Sequence, residues 1–254
     1  MLPALFVSHG SPTLPFDDCP ARDFLRGLSA TPEKPRAILV ASAHWDMPAP
    51  AVNAVVKNGT IHDFYGFPKA LYEQHYDAPG APGLAERTAQ LLKDAGLAAS
   101  IEPGRGLDHG AWVPLMLAYP GADIPVFQLS VQSGAGAAHH VALGRALAPL
   151  REDGVLIVGS GGFVHNLGTI DWNGGPEPGW SRGFADWTHA ALIERREDDL
   201  MQYRARAPHA VKAHPTEEHF MPLFVAYGAG GPAATRLHSS VTFGSLRMDA
   251  YAFG

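Results

Sequence analysis

Three apolar runs in this chain each lead into a histidine, and that recurrence limits the possible folds more than any other feature. Ala37–Asp46 (AILVASAHWD) rises through Ala-Ile-Leu-Val into a small-residue turn and reaches His44. Ala4–Pro12 (ALFVSHGSP) runs into His9, and Val155–Leu167 (VLIVGSGGFVHNL) passes through a glycine turn to His165. Short apolar runs bounded by turn residues read as buried strands. As parallel strands of one sheet, their C-terminal ends would lie along one edge, where open α/β sheets bind their ligands. Three histidines brought to such an edge can hold a divalent metal.

The remaining stretches alternate between strand and helix signals. Leu5–Val7 is expected as the first strand, Pro20–Leu28 as a short helix, and Thr31–Arg36 as a Pro-broken link. Ala51–Val56 is a second β-like run, followed by the aromatic loop Ile61–Pro68 (IHDFYGFP). Leu84–Ala95 predicts an amphipathic helix stopped at Gly96. Trp112–Tyr119 predicts a helix with Pro114 near its first turn, where proline is tolerated. Ile124–Val131 and Val155–Val158 read as strands, with Ala137–Leu150 helical between them. Asp171–Trp180 is a Gly/Pro/Trp loop, Arg182–Leu200 a long helix, Pro208–Pro215 a loop and Phe220–Tyr227 a short apolar helix. His238–Phe243 alternates like a half-exposed strand, and Ser245–Phe253 is expected to add an edge strand. This alternation argues for an α/β fold with a mostly parallel sheet. No linker divides the 254 residues, which are expected to form a single domain, 1–254. One internal echo stands out: His109 precedes WVPLMLAY, and His219 precedes FMPLFVAY.

Charge and cysteine content exclude several classes. A formal net charge of −6 with no basic run argues against a nucleic-acid surface. Cys19 is the only cysteine, so neither a disulfide framework nor a cysteine-based zinc site is available. The start MLPALFVSHG lacks a basic segment and is too short for a signal peptide, and no apolar run reaches the ~20 residues of a membrane span. A cytoplasmic protein is expected.

Thirteen histidines supply material for metal ligation or acid–base chemistry. Each of His9, His44 and His165 alone reads equally as a satisfied polar residue at a strand end. Imidazole suits Zn, Fe, Cu and Ni. In His214-Pro215-Thr216-Glu217-Glu218-His219, Thr216 reads as an N-cap that places both glutamates in a first helical turn. Asp108 stands beside His109 and reads as a partner that orients its ring. Ser160 in Gly159-Ser160-Gly161-Gly162 resembles a nucleophile turn, but Val158 occupies the place of the first glycine in G-x-S-x-G. No P-loop and no dinucleotide fingerprint is present.

These residues, in this order, resemble the class III extradiol ring-cleavage dioxygenases, and within them the branch that acts on DOPA. The matching stretches are His9-Gly10-Ser11-Pro12, Ser42-Ala43-His44-Trp45, Ile61-His62-Asp63-Phe64 with Gly66-Phe67-Pro68, and Asp108-His109-Gly110 with Trp112. They continue with Gln128-Leu129-Ser130, Val164-His165-Asn166-Leu167, and Pro215-Thr216 followed by Glu218-His219 and Pro222-Leu223. The resemblance implies a three-layer α/β/α fold, one divalent metal, Zn(II) or Fe(II), and no organic cofactor. It implies a small catecholic substrate and O2 as partners, with no nucleic acid and no membrane. Carried over by position, His9, His44 and His219 match the metal ligands. His165 matches an acid–base histidine that is also a possible fourth ligand, and His109 a histidine facing substrate and oxygen. The protocatechuate branch uses a glutamate as third ligand, whereas His219 stands at that place here. An all-histidine set leans toward zinc, which has no redox chemistry.

The implied reaction is ring opening beside the two hydroxyls of a catechol. His165 or His109 would move protons, and Phe64, Tyr65 and Phe67 would cover the ring. Two other functions fit the same residues: a zinc-dependent hydrolase, and a non-catalytic metal- or phenol-binding protein. The sequence does not set the oligomeric state.

Overall fold

The structure is a computed structural model that describes residues 1–28 and 34–254. Thr31, Pro32 and Glu33 of the expected link lie outside the described residues. In chain order the strands are β1 (Ala4–Ser8), β2 (Ala37–Asp46), β3 (Ala51–Asn53), β4 (Ser100–Glu102), β5 (Val126–Val131) and β6 (Val155–Gly161). The chain closes with β7 (Ala234–His238), β8 (Val241–Thr242), β9 (Leu246–Arg247) and β10 (Ala250–Phe253). The helices are α1 (Pro20–Gly27), α2 (Lys69–Tyr72), α3 (Pro82–Asp94), α4 (His109–Ala118) and α5 (Gly136–Leu147). They continue with α6 (Gly179–Ile193), α7 (Glu197–Met201), α8 (Tyr203–Arg206), α9 (Ala210–Ala213) and α10 (Met221–Gly230).

Eight strands form one sheet in the order β4-β3-β5-β2-β6-β1-β10-β7. Its centre is parallel: β5 pairs with β2, β2 with β6, and β6 with β1. Both flanks contain antiparallel pairs, β3 with β5 on one side and β1 with β10 and β10 with β7 on the other. The central strands open on near-continuous apolar runs and are buried along almost their whole length, because helices cover both faces. Leu5, Val7, Ile38, Val40, Leu156 and Val158 face the layer that holds α1 and α4. Phe6, Leu39, Ala41, Phe127, Leu129 and Ile157 face the opposite layer, built from α3, α5, α6 and α10. The expected three-layer α/β/α architecture is present.

Several boundaries differ from expectation, each for a local reason. The long helix Arg182–Leu200 is broken: α6 ends at Ile193, and Arg195 takes a left-handed φ of 58° before α7 begins. The strand expected over His238–Phe243 stops at His238. Val241–Thr242 instead pairs with Leu246–Arg247 in a separate ribbon, around Phe243 and Gly244, which both have positive φ. The tail does not form an edge strand. β10 lies inside the sheet, between β1 and β7, so β7 is the edge. Among the described residues, no helix is long and apolar enough to cross a membrane.

Candidate metal centre

β1, β2 and β6 are neighbours, so their C-terminal ends meet at one place on the sheet edge. His9 follows β1 directly, and Gly10 turns the chain away with a φ of 69°, a left-handed conformation that favours glycine. β2 loses register with β5 between Ser42 and Asp46, and His44 lies in that irregular stretch. Such a bulge re-aims a side chain. His219 arrives from the other direction, on the turn before α10. Its carbonyl accepts a hydrogen bond from Gly162 N at 2.8 Å. This approach is possible because β6 is bare of side chains there. A Cβ on Gly161 would overlap the His219 carbonyl, and one on Gly159 would overlap that of Pro222. The glycines of the Gly-Ser-Gly-Gly run therefore seat a helix, and Ser160 is a buried hydrogen-bonding residue.

His9 and His44 bring their Nε2 atoms to 3.0 Å, and His44 and His219 theirs to 3.2 Å. The other ring nitrogen of each histidine is turned to an acceptor. The Ser160 hydroxyl donates to the Gly110 carbonyl, so at 3.1 Å it must accept from His9 Nδ1. His219 Nδ1 donates to Glu218 Oε1 at 2.9 Å. His44 Nδ1 faces Asp63 Oδ2 at 3.4 Å. With the protons on Nδ1, three Nε2 lone pairs point at one another, and such an arrangement is repulsive without a cation among them. Two nitrogens held 2.0–2.1 Å from a tetrahedral zinc stand about 3.4 Å apart, close to the observed spacings. The donor set fits a divalent metal. Burial and the neighbouring imidazoles push His9 and His219 well below the ordinary imidazole range and His44 down to about 3, so all three are neutral ligands in waiting.

Two further histidines touch the trio. The His165 ring stacks on His219, with centroids 3.5 Å apart and planes 8° from parallel. It stands beside the trio of lone pairs, and burial lowers it to about 4. His109 lies 3.8 Å from His44 between ring centroids. A ring nitrogen of His109 could join His9 and His44 in a second three-nitrogen set, and His165 and His219 could form a set of two nitrogens and one oxygen with Glu218.

The support around these rings is the part that sequence reasoning missed. Asp63 accepts from His109 N at 2.9 Å, and its other oxygen lies 2.9 Å from His109 Nδ1, off the line of a good hydrogen bond. Burial raises its carboxyl, but the His109 contacts outweigh that and hold it below the ordinary carboxylate value. Asp63 thus orients the ring expected to lean on Asp108. Asp108 instead caps α4 through Ala111 N, accepts from Ser42, Gln128 and Arg105, and is fully buried. Thr216 is not an N-cap either. α10 starts at Met221, and the Thr216 hydroxyl donates to Glu218 Oε1 while Tyr203 donates to Glu217. A carboxylate flanked by aromatics, as in His62-Asp63-Phe64, was the available signal for Asp63.

A cavity of about 330 Å³ opens beside the histidines. Phe64 and Phe67 line it together with His9, His44, His109, His165 and His219. Tyr65 does not: it is 92% exposed and lies outside the lining, so the expected cover over the ring is reduced to Phe64 and Phe67.

Residues 3–254 match the family model described as the catalytic LigB subunit of aromatic ring-opening dioxygenase. The chain is 47% identical over 255 residues to a Beta vulgaris protein named 4,5-DOPA dioxygenase extradiol, covering 98% of this chain and 95% of the relative. It is 39% identical to a protein of the same name from Escherichia coli K12, covering 100% and 95%. A crystal structure of an uncharacterized protein from Escherichia coli K12 matches with a TM-score of 0.83 and 34% identity, over 100% of both chains.

Proposed function

The chain belongs to the family of catalytic LigB subunits of aromatic ring-opening dioxygenases, and on that premise we propose a metal-dependent extradiol dioxygenase that opens a DOPA-like catechol with O2. The observation that carries this reading is the convergence of three Nε2 atoms whose Nδ1 partners are all acceptors. His9, His44 and His219 would hold one divalent metal, Zn(II) or Fe(II), with His165 as a possible fourth ligand. The whole chain, 1–254, would serve as one catalytic domain. A metal bound there supplies Lewis acidity toward a catechol hydroxyl and, as iron, a redox path to O2.

The protein's own residues do the rest. The catechol ring would pack against Phe64 and Phe67, which touch each other edge-on with centroids 5.3 Å apart, and their apolar surface would exclude water. His165, neutral at neutral pH, takes a hydroxyl proton. His109, held beside Asp63, lines the same cavity and would return a proton to oxygen as the ring opens. The all-histidine set also favours a second reading, a zinc-dependent hydrolase using a metal-bound water.

One experiment separates them. Metal-stripped protein is reloaded anaerobically with Fe(II) or Zn(II) and mixed with DOPA and simpler catechols in an oxygen electrode. Uptake of one O2 per catechol with iron alone supports the dioxygenase. Ester hydrolysis with zinc and no uptake with iron, in protein shown to be fully loaded, supports the hydrolase and removes the first reading. Catechol binding without turnover under either metal would leave a binding protein.

A further inference from the structure

Among the described residues, the cavity beside the histidines is lined by one guanidinium and by no carboxylate. The guanidinium is Arg247, at the end of β9, with its side chain only 12% exposed. Its orientation is fixed. Nε and Nη2 donate to the two oxygens of Glu177 at 2.6 and 3.0 Å, and Nη1 donates to Ser239 Oγ at 3.0 Å. A guanidinium carries five N–H donors, so one donor on each Nη remains free. Glu177 is half-buried, with its side chain 9% exposed, and does not line the cavity. It holds the plane of Arg247 without closing it to a ligand.

The local charges do not cancel. Arg182 lies 3.4 Å from Glu177, while Arg236 and Arg247 lie 3.9 and 3.7 Å from Asp249. Three guanidiniums therefore share two carboxylates. Burial pushes Asp249 up to about 6, against the pull of Arg247, which makes it the weaker counter-charge. Ile170, Trp172, Phe243 and Leu246 line the same cavity as Arg247. In such surroundings a charge pair is screened less than at an open surface.

Building on the reading of the site as a catechol-opening centre, we propose that Arg247 is a specificity-determining residue: it binds a carboxylate on the substituent of the catechol, and the cavity leaves an ammonium on that substituent unread. A carboxylate meeting two free guanidinium donors forms charge-assisted, directional bonds. No wall residue offers an ammonium the equivalent. The substrate class is then catechols with a carboxylate-bearing side chain, whether or not an amine is present.

The test uses iron-loaded protein and four probes: dihydroxyphenylpropionate, its methyl ester, DOPA and dopamine. The acid is expected to exceed the ester in kcat/KM by about 10- to 100-fold, mostly through KM. DOPA should fall within a few-fold of the acid, and dopamine at or below the ester. Arg247→Gln should collapse the acid-to-ester ratio toward one, and Arg247→Lys should restore part of it. Equal kcat/KM for acid and ester in the native protein, or a ratio that survives Arg247→Gln, overturns the assignment. DOPA far ahead of the propionate would show that the amine is read and overturn the second half. If Arg247→Gln fails to fold, the acid–ester comparison in the native protein still decides. If no catechol is opened, the functional reading falls separately. Tryptophan-fluorescence titration of zinc-loaded protein with acid and ester then judges Arg247, and equal Kd values overturn it.

Discussion

α4 and α10 read almost alike in sequence, a histidine followed by an apolar stretch with a proline, yet the two histidines reach the site by different means. His109 is the first residue of α4, with Pro114 inside that helix rather than in the expected first turn, while His219 stands before α10. α4 lies on one face of the sheet and α10 on the other, and both are buried along nearly their whole length. α4 is positioned by side chains. Asp108 caps it and ties it to Ser42, Gln128 and Arg105, and Asp63 reaches across from a loop to hold His109. α10 has no side-chain cap. Its approach rests on backbone pressed against the bare glycines of β6, with the His219 carbonyl bonded to Gly162 N. A network of side chains can readjust, whereas a backbone contact cannot yield by rotating a bond. The α10 side should therefore carry the metal, and the α4 side the adjustable proton chemistry.

The largest effect should separate the two histidines. His219→Ala is expected to abolish stoichiometric metal binding and turnover together. His109→Ala should keep the metal and lower turnover by ~100-fold. Metal analysis and kinetics on both variants check this, and equal metal loss would erase the distinction. Next come the two glycines. Gly161→Ala places a methyl against a carbonyl and should destabilise the fold by about 2–3 kcal/mol. Gly110→Ala meets mainly the Ser42 hydroxyl, 2.5 Å away, and should cost less, about 1 kcal/mol. Urea unfolding ranks them, and a reversed order would contradict the picture. Asp63→Asn, which keeps the shape and removes the charge, should lower turnover by ~10-fold while the metal stays bound.

The smallest effect is a pH slope. His214 packs on Phe220 beside α10, and burial holds it at about 3. Below the ordinary imidazole value near 6.5, the unfolded chain takes up a proton that the folded chain refuses. Stability therefore falls as pH drops through that window. The contribution is about 1 kcal/mol between pH 6.5 and 5.5. His214→Gln should flatten the slope by about one proton, as read from urea midpoints, and an unchanged slope would place the acid sensitivity elsewhere.

Much of this is legible in the sequence itself. The apolar runs at Leu5, Ile38 and Leu156 read as buried strands, and as parallel strands of one sheet they would bring the histidines after them to one edge. What stayed hidden depends on residues far apart in the chain. Nothing local in Glu177 announces Arg247, since β9 and the loop before α6 meet only in the folded molecule. The break at Arg195 escaped because its helical pattern continues through a residue that one left-handed φ removes from the helix. Thr216 carried a proper cap signature, but a following proline-started segment, Met221-Pro222, took the helix start instead.

β10 fills the place beside β1, with Ala4 paired to Phe253. The strand that delivers His9 thus takes its outer neighbour from far along the sequence, and the partner histidine His219 also comes from a distant segment. Pairings between such remote segments form slowly, because a long loop must close before they are rewarded. The three imidazoles would therefore come together only once the sheet has closed around β1.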